Sequence, residues 1–270
     1  RHCYSQKGDS DMSLEALKKA GELYPRAKFI FHGGEPSMVN VSWLYRAVDI
    51  LKDNPLSMQS NLVSLSDEFI EFMLEFKERF GSSIGTSLDL ERIKHKKAIL
   101  DNVCLLAELG FEVTAIITIT TPQVEPYFQL IEEFLKAGGR WFKFQIATPV
   151  NGEGFLPVEK IREIFLRGLN VRGNQLWKMI NNYSCGFPIS LFGGNCGRHV
   201  RTINPDGTIH VCPELAGEGL TQFSIGDVTN GETNKGILSL FAKREAYLRN
   251  HCKENCWGYC AGGCFSMAYH

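Results

Sequence analysis

Four thiols fall within thirteen residues near the end of this chain, in the run Cys252-Lys-Glu-Asn-Cys256-Trp-Gly-Tyr-Cys260-Ala-Gly-Gly-Cys264. A segment so dense in cysteine and glycine builds little hydrophobic core, but it can wrap a metal centre. Cys185, Cys196 and Cys212 precede it, giving successive gaps of 10, 15, 39, 3, 3 and 3 residues. Iron–sulfur clusters are typically held by four cysteine thiolates, and Gly258, Gly262 and Gly263 let a ligand loop curl round one. Zinc also accepts four thiolates, but its ribbons favour closer cysteine pairs, and seven thiols exceed one zinc site. Spacing therefore favours iron–sulfur over zinc, with disulfides behind both. A chain of 270 residues with nine cysteines is too long for a small disulfide scaffold.

The rest of the chain constrains the fold through its rhythm. Strand patterns at Lys28–His32, Leu56–Asn61, Ser83–Asp89, Glu112–Thr120 and Trp141–Ile146 alternate with helical patterns at Trp43–Lys52, Glu68–Phe80, Lys97–Leu109 and Tyr127–Ala137. Such alternation predicts parallel strands with helical crossovers, an α/β architecture. A further helix spans Leu14–Leu23, with Ser13 as its N-cap, and Gly110 closes the helix before it in left-handed geometry. A sixth strand would precede Arg1. Beyond residue 146 the pattern changes. Residues 148–157 are rich in Gly and Pro, Val158–Leu169 and Leu176–Asn181 read as helices, and Thr202–Cys212 reads as a hairpin turning at Asp206-Gly207. Leu238–Arg249 reads as a helix leading into the cysteines. The expected organisation is an α/β domain over 1–150, a connection over 151–184 and a cysteine-rich domain over 185–270.

Charge excludes some partners. A net charge of −1 offers no electrostatic footprint for nucleic acid. No apolar run reaches the roughly 20 residues needed to span a bilayer, so no membrane partner and a cytoplasmic location are expected.

Two motifs sit in the first part of the chain. Gly33-Gly34-Glu35-Pro36 follows a strand, where glycines let backbone approach a small ligand and Glu35 can meet an ammonium group. By itself this is also a plain strand-to-helix turn. Arg1-His2-Cys3-Tyr4 carries a cysteine that alone reads as a small buried residue.

Taken together, the order of these motifs resembles the radical S-adenosylmethionine (SAM) enzymes, in the branch with a C-terminal SPASM domain. That branch includes anaerobic sulfatase maturases and maturases of ribosomally made peptides. The resemblance implies a partial (β/α)6 TIM-like barrel followed by a small SPASM domain binding iron–sulfur clusters. Cys3 and Tyr4 look like the end of the family's C-x3-C-x2-C-aromatic motif, its first two cysteines lying ahead of Arg1. Cys3 would then be a ligand of the radical-site [4Fe–4S] cluster, with Tyr4 near the adenine. Gly33, Gly34, Glu35 and Pro36 match the loop that binds the SAM amino group. Ser60-Asn61 and Ser87-Leu88-Asp89 look like the next two strand-end motifs, with Leu62 and Leu90 in place of the family's glycines. Ser87 and Asp89 would face the ribose. Gly207 and Cys212 fit the G-x4-C element of SPASM, and Cys260 and Cys264 its C-x3-C closure. By analogy Cys185, Cys196, Cys212 and Cys264 hold one auxiliary [4Fe–4S] cluster. Cys252, Cys256 and Cys260 hold a second, whose fourth position is taken by a cysteine past His270 or by a non-cysteine ligand, or is left open.

The implied activity is generation of a 5′-deoxyadenosyl radical to cross-link or oxidise a peptide or protein side chain. Formylglycine formation of the sulfatase-maturase type is the alternative within the class. A non-catalytic iron–sulfur or zinc-binding protein is the alternative outside it. An external one-electron donor such as flavodoxin or ferredoxin is implied. Other residues read as structural: Cys104 as a helix core residue, Arg92–Lys97 as a solvated helical face, His210 as part of a hairpin. For His32 and Gln145 packing is favoured over substrate contact.

Overall fold

The computed structural model describes residues 11–146, 157–171, 173, 200–217 and 220–251. The described residues divide into two compact units. One holds residues 26–146, 157–171 and 173, and the other holds 11–25, 200–217 and 220–251.

The larger unit is a five-stranded parallel sheet in sequential order, β1 (Phe29–Phe31), β2 (Leu56–Gln59), β3 (Ser83–Asp89), β4 (Glu112–Ile119) and β5 (Trp141–Ile146). Successive strands are joined through α2 (Val41–Ile50), α3 (Asp67–Phe80), α4 (Lys96–Glu108) and α5 (Glu125–Lys136). Side chains alternate across a strand, and β4 shows why one face is core. Val113, Ala115, Ile117 and Ile119 are fully buried, while Thr114, Ile116 and Thr118 are half-buried. The registers extend that buried row through Ile84, Thr86 and Leu88 on β3 and Phe142 on β5. The helices supply matching apolar stripes, such as Phe69, Phe72, Met73 and Phe76 of α3 and Ile99, Val103 and Leu106 of α4. The α3 stripe is held in phase by its ends. Ser66 Oγ accepts from Phe69 N at 3.2 Å, and Gly81 ends the helix at φ 96°. Along β5, α6 (Val158–Leu169) packs Phe165 on Phe144 at 5.6 Å, and its Arg167 grips Glu125 of α5 through two hydrogen bonds.

Cys104 departs from expectation. It lies on α4 but is exposed, because the buried stripe runs through residues 99, 103 and 106 and Cys104 falls one position off it.

The second unit joins α1 (Leu14–Leu23) to a four-stranded antiparallel sheet of β6 (Thr202–Ile203), β7 (Thr208–His210), β8 (Ser224–Asp227) and β9 (Gly231–Glu232). The Ser13 cap forms as expected, its Oγ accepting from Ala16 N at 3.1 Å. The hairpin forms over Asn204–Gly207. Gly207 N donates to Asn204 O at 2.9 Å, and Gly207 takes the left-handed conformation at φ 84°. A polar knot anchors α1 to this sheet. Tyr24 Oη donates to Glu232 Oε1 at 2.7 Å, and Arg201 Nε donates to the same oxygen at 2.6 Å. The core holds Leu17, Ala20, Ile209, Val211, Leu215 and Ile225. A helix over Lys235–His251, α7, closes the described chain.

Candidate functional site

The C-terminal ends of parallel strands are where backbone amides and loop side chains converge. In the larger unit this edge gathers the 33–36 loop after β1, Ser60-Asn61 after β2 and Asp89 at the end of β3.

Glu35 is the centre of that edge. Its Oε1 accepts from Ser37 N at 3.2 Å, Ser37 Oγ at 3.0 Å and Ser60 Oγ at 2.6 Å. Its Oε2 accepts from Asn61 N at 2.8 Å. The carboxylate thus ties the β1 loop to the end of β2. Each carboxylate oxygen has about two acceptor positions, so three donors saturate Oε1, and Oε2, with one donor among the described residues, keeps capacity for another. Pro36 is buried and starts a short 3-10 turn, which fixes the loop behind Glu35. Gly34 needs its glycine, at φ 66°, and a Cβ built on Gly33 or Gly34 would meet no atom within 4 Å. The loop therefore presents bare backbone beside open space and one spare carboxylate acceptor. That set fits an ammonium-bearing ligand such as SAM.

Leu62 explains how the second strand end keeps its shape without glycine. It has φ 54°, the single described non-glycine residue with positive φ. Its N–H donates to Ser60 Oγ at 3.2 Å, and its carbonyl accepts from Asn102 Nδ2 at 2.9 Å. Asn61 Oδ1 accepts from Val63 N at 2.8 Å. The side chain of Leu62 is 0 % exposed. A left-handed conformation costs about 1–2 kcal/mol, and full burial of a leucine returns about 1.5–3 kcal/mol. The turn therefore persists with the side chain turned into the core.

On β3, Ser87 and Asp89 lie two apart and share the face opposite the helix-covered one, Ser87 half-buried and Asp89 at 4 % exposure. Leu90 opens a 3-10 segment, Leu90–His95, that feeds directly into α4. Asp89 also lines a cleft with Lys96, Gln129 and Glu133, where Lys96 pairs with Glu133 at 2.8 Å. At the end of β4 the buried Tyr127 Oη accepts from Thr120 N at 2.7 Å and Thr121 N at 2.9 Å, fixing the strand-to-helix loop. His32 and Gln145 lie at this edge with solvent-accessible side chains. Burial of its surroundings lowers the His32 pKa, and the charge of Lys143 adds to that against an opposing effect of Glu35.

In the second unit Cys212 follows β7 and caps a short turn over Pro213–Leu215, half-buried. His210, the last residue of β7, is buried at 3 % exposure, and burial lowers its pKa. Cys3, Tyr4, Cys185, Cys196, Cys252, Cys256, Cys260 and Cys264 lie outside the described residues. Among the described residues no group of three or more His, Cys, Asp or Glu is placed to hold a metal ion. None of their helices is long and apolar enough to cross a membrane.

Sequence reasoning missed Ser37 and Asn102. Ser37 directly follows the Gly-Gly-Glu-Pro run, where a short hydroxyl can reach back to the glutamate. Asn102 carries no local signal, since it meets Leu62 only through the fold.

No family model and no curated protein matches the chain. Solved structures do. Native anSMEcpe with bound AdoMet and Cp18Cys peptide aligns at TM-score 0.73 and 15 % identity, over 98 % of this chain and 84 % of that one. Native anSMEcpe with bound AdoMet aligns at TM-score 0.71 and 14 % identity, over 98 % and 85 %. Streptococcus suis SuiB bound to precursor peptide SuiA aligns at TM-score 0.68 and 13 % identity, over 98 % and 68 %. At these identities the likeness establishes a shared fold: the α/β architecture and its parallel sheet are those of proteins crystallised with AdoMet and with peptides.

Proposed function

We propose that this chain belongs to a radical SAM enzyme that modifies a peptide or protein side chain. The observation that carries the reading is the Glu35 arrangement, a carboxylate fixed by four donors with one acceptor position left beside an open glycine loop. Shared fold with AdoMet- and peptide-bound structures supports it.

In this reading Glu35 receives the ammonium group of SAM, and Gly33 and Gly34 admit its methionine end to the backbone. Pro36 holds the loop in place. Ser60 and Asn61 hold the glutamate in orientation, so the loop needs no rearrangement on binding. Ser87 and Asp89 take the ribose hydroxyls, and Tyr4 lies by the adenine. Cys3 and two preceding cysteines ligate the radical-site cluster. Cys185, Cys196, Cys212 and Cys264 ligate one auxiliary cluster, and Cys252, Cys256 and Cys260 a second. A cluster held there, with SAM bound beside it, would supply one-electron chemistry capable of removing hydrogen from an unactivated carbon. The protein's part is to hold the ligand, exclude water and orient the target C–H. The preferred outcome is cross-linking or oxidation of a ribosomally made peptide in the cytoplasm, with electrons from a flavodoxin- or ferredoxin-type donor.

The test is iron, acid-labile sulfide and zinc per chain after anaerobic reconstitution of the full-length protein. About eight to twelve irons with matching sulfide are expected, four per cubane cluster. Zinc without sulfide would overturn the reading and leave a structural metal protein.

A further inference from the structure

Helix α7 has two sides of different character. Ile237, Leu238, Phe241 and Leu248 are half-buried, and the helix packs on β8. Leu240, Lys243, Tyr247 and His251 are exposed, Leu240 at 45 % and Tyr247 at 61 %. At 3.6 residues per turn these four fall within an arc of about 80°, so they form one outward stripe rather than scattered surface positions. Tyr247 is held in place on it. Its ring stacks on His251 with centroids 4.1 Å apart and planes at 20°, and His251 Nδ1 lies 2.7 Å from the Tyr247 carbonyl oxygen. An aromatic side chain already ordered in the free protein loses little freedom when a partner covers it, and tyrosine is among the residues enriched in binding hot spots.

The charge of the helix tells what kind of partner fits. Its sequence carries Lys235, Lys243, Arg244 and Arg249 against Glu245 alone, a net +3 in a chain whose total is −1. Lys235 and Lys243 are exposed. Such a local excess attracts an acidic surface and steers its approach. A nucleic acid would meet the same cations, but the chain as a whole is net negative, against the basic footprint that such binding needs. The residue after His251 is Cys252, to which the proposed function gives the second auxiliary cluster.

We infer that the outward stripe of α7 docks an acidic one-electron carrier protein, with Leu240 and Tyr247 as the apolar centre of the contact and Lys243 pairing with a carboxylate of the carrier. The inference rests on the proposed function, which calls for such a carrier. One electron passes between carrier and protein, one centre being oxidised as the other is reduced, and no bond is made or broken.

The experiment titrates full-length protein, its clusters reconstituted anaerobically, with oxidised flavodoxin and then with a [2Fe–2S] ferredoxin, both acidic carriers, by calorimetry at low and at high salt. Wild type should bind at least one of them, more weakly at high salt. Leu240→Ala, Tyr247→Ala and Lys243→Glu should each weaken that binding by about tenfold or more, the scale of a hot-spot residue. Lys18→Glu makes the same charge change at an exposed position of α1 and should leave binding as it was. Binding of neither carrier by wild type, equal affinity in the α7 variants, or equal weakening by Lys18→Glu and Lys243→Glu overturns the inference. So does a wild type that prefers a single-stranded RNA oligomer to both carriers and loses it in Lys243→Glu. Far-UV circular dichroism confirms the fold of each variant, with Lys243→Gln replacing a charge reversal that does not fold. Formation of 5′-deoxyadenosine with a chemical reductant is read separately and should be unchanged in the α7 variants. Its absence from wild type that binds a carrier through α7 would sink the radical reading and leave the docking surface intact.

Discussion

Two residues set how the loop ends at the sheet edge are held, and they do so by different means. Glu35 works by hydrogen bonding, since its carboxylate joins two strand ends, and the proposed function gives its remaining acceptor position to the SAM ammonium. Glu35→Gln replaces one oxygen with a donor that faces either Asn61 N–H or the hydroxyls of Ser37 and Ser60. SAM affinity should fall about tenfold to a hundredfold, the loss of a charge-assisted bond, read by equilibrium dialysis. An unchanged affinity would remove Glu35 from the site. Leu62 works by burial. Leu62→Gly relieves a left-handed backbone worth about 1–2 kcal/mol but empties a buried leucine site worth about 3–5 kcal/mol. Net destabilisation of about 2 kcal/mol is expected in denaturant titration, and a stabilised variant would contradict it.

At the scale of elements, Tyr127 is a clamp at the C-terminal edge of the parallel sheet. Its hydroxyl satisfies two backbone N–H groups just beyond β4. In Tyr127→Phe those groups lose their acceptor, at about 1–3 kcal/mol for each one left buried. Amide exchange at Thr120 and Thr121 should quicken well before the core of β4 does, and unchanged exchange there would show that the clamp does not hold the loop. Elements were legible in the sequence where periodicity and punctuation agreed. Ser83–Asp89, Trp141–Ile146 and Val158–Leu169 have the bounds that their patterns imply. Helices α2 and α5 start two residues earlier than their sequence patterns imply, α2 because Asn40 caps it ahead of Val41 and Ser42, and α5 because Glu125 and Pro126 fill a first turn that need not be buried. Cys104 was misjudged because an apolar-looking side chain beside a helical stripe cannot be told from one on it without knowing the stripe's phase. The Gly-Gly-Glu-Pro loop was legible as a motif. That Leu62 keeps a glycine-like backbone was not, since its hydrogen bond to Asn102 and its buried pocket are products of tertiary packing.

Across the whole molecule, each compact unit has its own means of cohesion. The larger one relies on an apolar seam between sheet and helices, the smaller one also on the Tyr24–Glu232–Arg201 knot. Hydrogen bonding to Arg201 holds the Glu232 carboxyl below its ordinary value of 4.5, burial opposing. Its stabilising contribution is thus present above pH 4.5 and is lost as pH falls through the depressed folded value. Burial and the bond to Glu232 raise the Tyr24 phenol well above its ordinary 10.0. That contribution is present below pH 10 and fades as pH rises towards the folded value. Thermal unfolding of Glu232→Gln should therefore show a smaller drop below pH 4.5 than wild type, and an identical acid limb would show that the knot adds nothing.

The central claim is that the Glu35 edge serves radical SAM chemistry, and formation of 5′-deoxyadenosine tests it most directly. Full-length protein with reconstituted clusters, a strong reductant and SAM should form it, and Glu35→Ala should reduce the rate by about a hundredfold. Iron-loaded wild type that cleaves no SAM, or a Glu35→Ala variant as fast as wild type, would contradict the account.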